Sequence, residues 1–172
     1  ATGLLVICVG RFTKKIDEIQ AMPKEYEGTF FIGATTPSYD LETEVDATFP
    51  IEHITLEQIE TARASFLGEI MQIAPIHSAK KINGQRAYDL ARKGEEVIMR
   101  KNQVHIYNFE LSAIELPVIH FKVKCSKGTY IRSLAYDFGC ALQSGAYMSS
   151  LRRTAIGDFN VQDALLMTAF NE

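Results

Sequence analysis

The sequence contains the stretch Ile119-His-Phe-Lys-Val-Lys-Cys-Ser-Lys-Gly-Thr-Tyr-Ile-Arg-Ser-Leu134, in which a strand pattern passes directly into a helix pattern. From Ile119 to Cys125 apolar and polar residues alternate strictly, which is typical of a half-buried β-strand. From Tyr130 to Leu142 the apolar residues recur at helical spacing. The glycine between the two patterns predicts a tight turn. We therefore expect a strand, a turn and a helix in immediate succession.

The rest of the chain continues this interleaving of strands and helices. Strands are expected where apolar or β-prone residues form short runs, at Leu4–Val9, Glu25–Gly33, Val104–Leu111 and Leu151–Ile156. Helices are expected where the apolar spacing is helical, at Phe12–Met22, Thr55–Gly68, Arg86–Arg92 and Val161–Phe170. The second of these helices opens with Thr55-Leu-Glu-Gln58, the spacing of a capping box. Because no connection requires a parallel crossover, the patterns predict the α+β class, with a mixed, mostly antiparallel sheet flanked by helices.

Size and composition indicate one compact domain. The chain has 172 residues, of which 47% are hydrophobic, and no apolar run approaches the roughly 18 residues that a transmembrane helix requires. This composition excludes a disordered chain, a collagen-like repeat and a disulfide-scaffolded miniprotein. The three cysteines, Cys8, Cys125 and Cys140, have no paired spacing and are interpreted as reduced thiols of a cytosolic protein. No metal-binding motif occurs in the sequence, so no metal is expected.

Charge is distributed unevenly along the chain. The formal net charge of −3 argues against a nucleic-acid partner. Residues 1–79, however, carry a net charge of −7, and residues 80–172 carry a net charge of +4. Much of the positive charge falls between Ser78 and Lys101, which is interpreted either as a clamp for phosphate groups or as a solvated surface.

Several polar and aromatic residues are candidates for a functional site. Arg132 falls in the first turn of a predicted helix, where the helix dipole disfavours a cation unless an anion compensates it. The position suggests a carboxylate or phosphate partner, although a solvated turn with Arg132 directed outward fits the residues equally well. Tyr26 and Tyr130 are candidates for stacking on an exposed base or for ordinary packing. The acidic residues from Asp40 to Asp46 lack the glycine and glutamate of a calcium loop and are interpreted as a solvated loop.

Four segments of the sequence together resemble a known family. They are Cys125–Leu134, Ile76–Gly94, Leu151–Arg153 and Asp163–Leu165. In order and spacing they are similar to motifs of the bacterial tRNA pseudouridine-55 synthases, the TruB family, and the similarity extends from Ala1 to about Leu165. The resemblance implies a pseudouridine synthase fold. It also implies an isomerase that converts the uridine at position 55 in the T-loop of tRNA to pseudouridine.

The resemblance further implies how this reaction proceeds and what it requires. The target base is flipped out of its stack, its glycosidic bond is cleaved, and the freed uracil is bonded again through carbon. No cofactor and no metal is implied. The partner is the T-stem-loop of tRNA, no membrane is involved, and the enzyme is expected to be a cytoplasmic monomer.

The same resemblance implies roles for individual side chains. Tyr26, in Lys24-Glu-Tyr26, is similar to a tyrosine that stacks on the target base, and Tyr130 and Arg132 are similar to the active-site tyrosine and arginine. The arginine pairs with the catalytic aspartate of the family. The catalytic residues are thus expected to be Arg132 and Tyr26. The substrate-binding residues are expected to be Tyr26, Tyr130, Leu151, Lys24, Lys127 and Asp40.

Two segments qualify this assignment. The loop around Asp40 departs from the family pattern, because Pro37 replaces an aspartate and Thr43 replaces a glycine, so its contact with RNA is in question. The segment from about residue 75 to 101 resembles a thumb-like insert that grips RNA. Its candidate RNA-binding residues are Ser78, Lys80, Lys81, Arg86, Arg92 and Lys93.

The family's catalytic aspartate lies in a Gly-Thr-Leu-Asp-Pro-Leu-Ala-Thr-Gly segment. Ala1-Thr-Gly3 resembles the last three residues of that segment, so the aspartate is expected three residues before Ala1. We therefore expect residues 1–172 to be a pseudouridine synthase catalytic domain without its N-terminal part, and no C-terminal PUA domain is recognised. Three alternatives stay open. They are a non-catalytic RNA-binding module, a guide-RNA-dependent pseudouridine synthase (a group that lacks the thumb-like insert) and a purely structural or scaffolding protein.

Overall fold

The computed structural model describes residues 1–75, 81–82, 85–86, 101–166 and 169. Its strands are β1 (Thr2–Gly3), β2 (Lys24–Ile32), β3 (Ala34–Thr35), β4 (Ala47–Thr48), β5 (Gly68–Ile73), β6 (Lys81–Ile82), β7 (Gln85–Arg86), β8 (Lys101–Glu115), β9 (Val118–Cys125), β10 (Ala146–Ile156) and β11 (Phe159–Asn160). Its helices are α1 (Ile16–Ala21), α2 (Leu56–Ser65) and α3 (Ile131–Ala141), with 3-10 turns at Gly10–Lys15 and Val161–Asp163.

One large sheet organises the described part of the chain. Its strands lie in the order β1-β10-β2-β9-β8-β5, and β11 pairs with β10 at the side. All neighbouring strands of this sheet are antiparallel except β1 and β10, which run parallel. The predicted mixed, mostly antiparallel sheet is therefore confirmed. Two small hairpins, β3–β4 and β6–β7, lie outside it.

The hydrophobic core lies between one face of this sheet and helices α2 and α3. Along β9 every second residue from Ile119 to Cys125 is buried, which confirms the predicted alternation. Phe30, Phe121 and Phe138 meet at the centre of the core, where the rings of Phe30 and Phe121 stack with centroids 4.2 Å apart. Each of these rings removes a large apolar area from water, which favours folding.

Local signals correctly predicted several elements. The capping box at the start of α2 is present: the Gln58 backbone N–H donates to the Thr55 hydroxyl, and the Thr55 N–H donates to the Gln58 side chain. Helix α3 begins and ends within one residue of the range from Tyr130 to Leu142. The predicted helix at Phe12–Met22 is present as a 3-10 turn continuing into α1.

The predicted strand at Leu151–Ile156 is longer than expected, since β10 begins at Ala146, and three other predicted elements were wrong in part. Only Thr2–Gly3 forms a strand near the N-terminus, because the residues that follow have no partner strand in the described part of the chain. Leu4 is buried there, whereas Leu5 and Val9 are exposed to 67% and 72%. The predicted helix at Val161–Phe170 ends as a 3-10 turn at Asp163.

The third error concerns the predicted helix at Arg86–Arg92. Arg86 belongs to strand β7, where it pairs with Lys81 of β6, so a helix does not begin at this residue. The rest of this predicted helix lies outside the described residues. The reason for the error is general: a short window of helical spacing carries little weight against pairing with a neighbouring strand.

Candidate active site

One pocket brings together five of the residues that the sequence singled out. Its volume is about 400 Å³, and it lies beside the N-terminus of α3. It is lined by Tyr26, Asp40, Tyr130, Arg132 and Leu151, together with Ala1, Glu42, Thr129, Ile131 and Met148. Strand β2, the loop after β3, helix α3 and strand β10 each contribute to this lining. Residues far apart in sequence therefore converge on one cavity of the size that binds small groups such as a base.

The turn between β9 and α3 aims two side chains at the pocket. Gly128 adopts a φ of +85°, a left-handed conformation that favours glycine. The Thr129 hydroxyl donates to the Ser126 carbonyl at 2.9 Å, and the Ser126 hydroxyl accepts from the His105 N–H at 2.9 Å. These bonds tie the turn to β8. Tyr130 and Arg132 follow at the start of α3 and line the pocket.

An ion pair crosses the pocket. The Arg132 Nη1 lies 3.2 Å from Asp40 Oδ2 and 3.8 Å from Glu42 Oε2. The side chains of Arg132 and Asp40 are only 20% and 18% exposed. The expected anion partner of Arg132 is thus a carboxylate, and the alternative of an arginine directed into solvent was wrong.

The loop that carries Asp40 is itself held in place. The Ser38 hydroxyl donates to Asp40 Oδ1 at 2.7 Å, and the Glu42 backbone N–H donates to the same oxygen at 3.0 Å. Ser38 is completely buried, and its hydroxyl also contacts the Thr43 hydroxyl at 2.8 Å. The interpretation of this loop as merely solvated was therefore wrong for Asp40. The buried Ser38 gave no sequence signal, because serine is common in exposed loops.

Tyr26 and Leu151 form the apolar side of the pocket. Tyr26 is half-buried against the main core, and burial is the largest cause that raises the pKa of its phenol; the Cys125 thiol acts in the same direction and Arg153 opposes both. The hydroxyl is therefore neutral near pH 7. Leu151 lies opposite Gly28 across the β10–β2 pair, where a Cβ on Gly28 would come within 2.2 Å of the Ser150 carbonyl oxygen. A glycine at this position lets the two strands approach closely beside the pocket.

The structure does not bring Lys24 and Lys127 into this pocket. The Lys24 ammonium donates to the carbonyls of Gln20 and Met22, the latter at 2.7 Å, and so caps the end of α1. Burial, with Lys127 and Arg153 as further causes, lowers the pKa of Lys24. Lys127 is exposed on the turn before α3. A substrate contact by either residue stays a prediction.

Most candidate RNA-binding residues of the thumb-like segment cannot be placed relative to the pocket. Ser78, Lys80, Arg92 and Lys93 lie outside the described residues. Lys81 and Arg86 are paired through the backbone of the β6–β7 hairpin. Their role in RNA binding stays a prediction.

Within the described ranges, no three His, Cys, Asp or Glu side chains cluster as a metal site requires. Among those same residues, no helix is long and apolar enough to span a membrane.

A second titratable group lies on α3 outside the pocket. Burial raises the pKa of Asp137 to about 6. The neighbouring rings of Tyr39 and Tyr136 stack with centroids 4.2 Å apart. Because the folded pKa exceeds the ordinary value of 3.8, folding favours the protonated carboxyl. This stabilisation is present below about pH 4 and is lost as the pH rises through about 6.

We expect Asp137→Asn to stabilise the fold near pH 7.5 and to change it little near pH 4.5, because the amide cannot ionise. Thermal unfolding of the wild type and the variant at both pH values measures this difference. Equal shifts in Tm at the two pH values would contradict it.

The sequence and the fold match those of pseudouridine synthases. Residues 1–131 match the family model described as TruB family pseudouridylate synthase (N terminal domain). Residues 132–172 match the model described as tRNA pseudouridylate synthase B C-terminal domain. The chain belongs to the TruB family of pseudouridylate synthases.

Similar proteins of known name support the same assignment. The tRNA pseudouridine synthase B of Flavobacterium johnsoniae is 58% identical over 172 residues, which are 100% of this chain and 75% of that protein. The tRNA pseudouridine synthase B of Phocaeicola vulgatus is 52% identical over the same 100% of this chain and 73% of its own length. The predicted family and the predicted class of enzyme, an isomerase that forms pseudouridine, are confirmed.

Solved structures support the fold. The crystal structure of a Cbf5-Nop10-Gar1 complex contains a chain that superimposes with a TM-score of 0.63 at 27% identity, over 88% of this chain and 36% of that one. An H/ACA RNP bound to a substrate RNA containing 2'-deoxyuridine gives a TM-score of 0.62 at 24% identity, over 92% of this chain and 36% of that one. This chain thus spans about a third of those proteins. The predicted α+β pseudouridine synthase fold is confirmed.

Proposed function

We propose that the protein to which this chain belongs converts the uridine at position 55 in the T-loop of tRNA to pseudouridine, and that the flipped base enters the pocket between Tyr26 and Arg132. The observation that carries the proposal is the convergence of Tyr26, Asp40, Tyr130, Arg132 and Leu151 on that pocket. The family and the names of its relatives support tRNA as the substrate. The protein acts as a cytoplasmic monomer and needs neither a metal nor a cofactor.

The pocket residues contribute to binding of the flipped base in different ways. Extruding a base from its stack costs a few kcal/mol. The ring of Tyr26 offsets this cost by stacking, which contributes about 1–3 kcal/mol per base. Leu151 supplies an apolar wall, and Tyr130 lines the pocket together with Arg132. Together they hold the base where its glycosidic bond faces the charged side of the cavity.

Arg132 orients the carboxylate that drives cleavage of the glycosidic bond. We place the catalytic aspartate in residues that precede Ala1 in the whole protein. Two observations support this placement: Ala1 lines the pocket, and Ala1-Thr-Gly3 resembles the end of the family's aspartate-containing segment. A guanidinium has five N–H donors, so Arg132 can bind that aspartate while it keeps Asp40. The contact with Arg132 keeps the catalytic carboxylate ionised and oriented.

Incubation of the full-length protein with an unmodified tRNA T-stem-loop, in buffer with a chelator, tests the proposal. We expect stoichiometric conversion of the uridine to pseudouridine, measured by mass spectrometry after selective derivatisation. A stem-loop with cytidine at that position is the matched control and should not react. Turnover by residues 1–172 alone would contradict the placement of the aspartate.

Other results of this experiment would favour the alternatives. Tight binding of the stem-loop without conversion would indicate a non-catalytic RNA-binding module. Conversion that begins only when a guide RNA is added would indicate a guide-RNA-dependent enzyme. The identity of 58% to a tRNA pseudouridine synthase B, against 27% to the Cbf5-containing complex, favours the stand-alone reaction.

A further inference from the structure

A buried glutamine on β5 binds the backbone at the start of α3. Gln72 is only 1% exposed. Its Oε1 accepts from the Tyr130 backbone N–H at 2.9 Å, and its Nε2 donates to the Tyr130 carbonyl oxygen at 3.0 Å. One side chain thus binds both backbone groups of a residue that lines the pocket, as a neighbouring strand would.

A second contact holds β5 against the same turn of helix. The Ser133 hydroxyl donates to the Ile73 carbonyl oxygen at 2.6 Å, and Ser133 is 2% exposed. Ala74, the next residue after β5, is 1% exposed. The end of β5 therefore lies on the first turn of α3, the turn from which Arg132 reaches Asp40.

The start of α3 has no side-chain cap of its own, and Gln72 fixes its N-cap residue instead. Tyr130 is the N-cap residue of α3, and its own side chain makes no capping hydrogen bond. Ser, Thr, Asp or Asn normally fills this position and holds the first turn. A buried amide costs free energy unless its hydrogen bonds are made. The two bonds satisfy the Gln72 amide and hold the Tyr130 backbone from a distant strand.

We propose that Gln72 is a positioning residue: it holds the Tyr130 backbone so that the side chains of Tyr130 and Arg132 point into the pocket. The inference rests on the proposed function and adds a residue that touches neither the base nor the reacting carboxylate. Displacements of about 1 Å in an active site can cost about 100-fold in rate. Loss of Gln72 therefore lowers the rate of the chemical step and leaves the binding of the rest of the stem-loop unchanged.

Gln72→Met in the full-length protein is the first test. Methionine has a similar length but cannot replace the two hydrogen bonds. We expect kcat on the T-stem-loop to fall at least 10-fold, while KM and the Kd for the stem-loop change less than about 3-fold. All measurements are made at a temperature where circular dichroism shows the variant to be folded.

Gln72→Glu is the second test, and it remains decisive if the methionine variant fails to fold. A protonated glutamate accepts from the Tyr130 N–H and donates its O–H to the Tyr130 carbonyl, whereas an ionised one cannot donate. We expect the ratio of variant kcat to wild-type kcat to rise as the pH falls from about 8 to about 5.5. For Gln72→Met the same ratio is expected to stay flat.

Ser144→Ala is the matched control. The Ser144 hydroxyl is buried and donates to the Pro50 carbonyl oxygen at 3.1 Å, beyond the opposite end of α3. The Ser144→Ala substitution is expected to lower Tm without a change in kcat. A wild-type kcat for Gln72→Met, or a flat pH ratio for Gln72→Glu, would overturn the role of Gln72. An inactive wild-type protein would instead overturn the proposed function.

Discussion

Arg132→Leu in the full-length protein is expected to lower pseudouridine formation by about 100-fold or more, because the catalytic carboxylate loses the cation that orients it. The same substitution leaves the Asp40 carboxylate in the pocket without its partner at 3.2 Å. Breaking a fully buried pair costs about 3–5 kcal/mol of unfolding free energy, and this partly exposed pair is expected to cost about 1–3 kcal/mol. Single-turnover assays and thermal unfolding measure the two effects separately.

Arg63→Leu is the matched control for this prediction. Arg63 lies on α2, its side chain is also 20% exposed, and it binds Glu60 and the Phe109 carbonyl oxygen, the latter at 2.8 Å. Its loss is expected to lower Tm and to leave the rate of the folded enzyme unchanged. If Arg132→Leu destabilises as much as Arg63→Leu but retains wild-type turnover, Arg132 has only a structural role.

Tyr26→Leu is expected to lower kcat/KM about 10- to 100-fold, since the base loses a stacking surface worth about 1–3 kcal/mol. Leucine keeps the apolar contact with the core and so preserves most of the packing. The effect is measured with the T-stem-loop at substrate concentrations well below KM. A decrease of less than 3-fold would show that Tyr26 does not stack on the target base.

Two further variants identify the cause of the expected loss of activity in Tyr26→Leu. Tyr26→Phe keeps the ring and removes the hydroxyl. Its activity, compared with that of Tyr26→Leu, therefore separates the contribution of ring stacking from that of the neutral hydroxyl. Tyr147→Leu is the control: this tyrosine is 8% exposed at the other end of β10 and stacks on Phe31 with centroids 5.2 Å apart. It is expected to lower Tm without lowering kcat/KM.

Much of the fold follows from signals within single segments. The alternation from Ile119 to Cys125, the helical spacing after Tyr130 and the capping box at Thr55 each depend on neighbours in sequence, and each is present in the structure. Leu4–Val9 failed as a predicted strand because a run of apolar residues becomes a strand only when another strand lies beside it. Beyond Gly3 the described chain offers none.

The pocket likewise contains some residues that carry a local sequence signal and others that carry none. The types of its residues, a tyrosine on a strand and a tyrosine and an arginine at a helix start, were recognisable because they follow one another in motifs. The partner of Arg132 was not recognisable, because Asp40 is 92 residues away and resembles any acidic residue of a polar loop. Gln72 likewise gave no sequence signal, because its two hydrogen bonds connect it to a residue 58 positions away in sequence.

The sequence by itself therefore determined the family, the fold class and several of the residues that line the pocket, since local spacing and ordered motifs carry that information. Only the tertiary structure decided that Asp40 rather than solvent faces Arg132, and that Gln72 holds Tyr130. Ion pairs and buried hydrogen bonds depend on distances of about 3 Å between atoms that sheet pairing and helix packing bring together. No pattern of neighbouring residues encodes those distances.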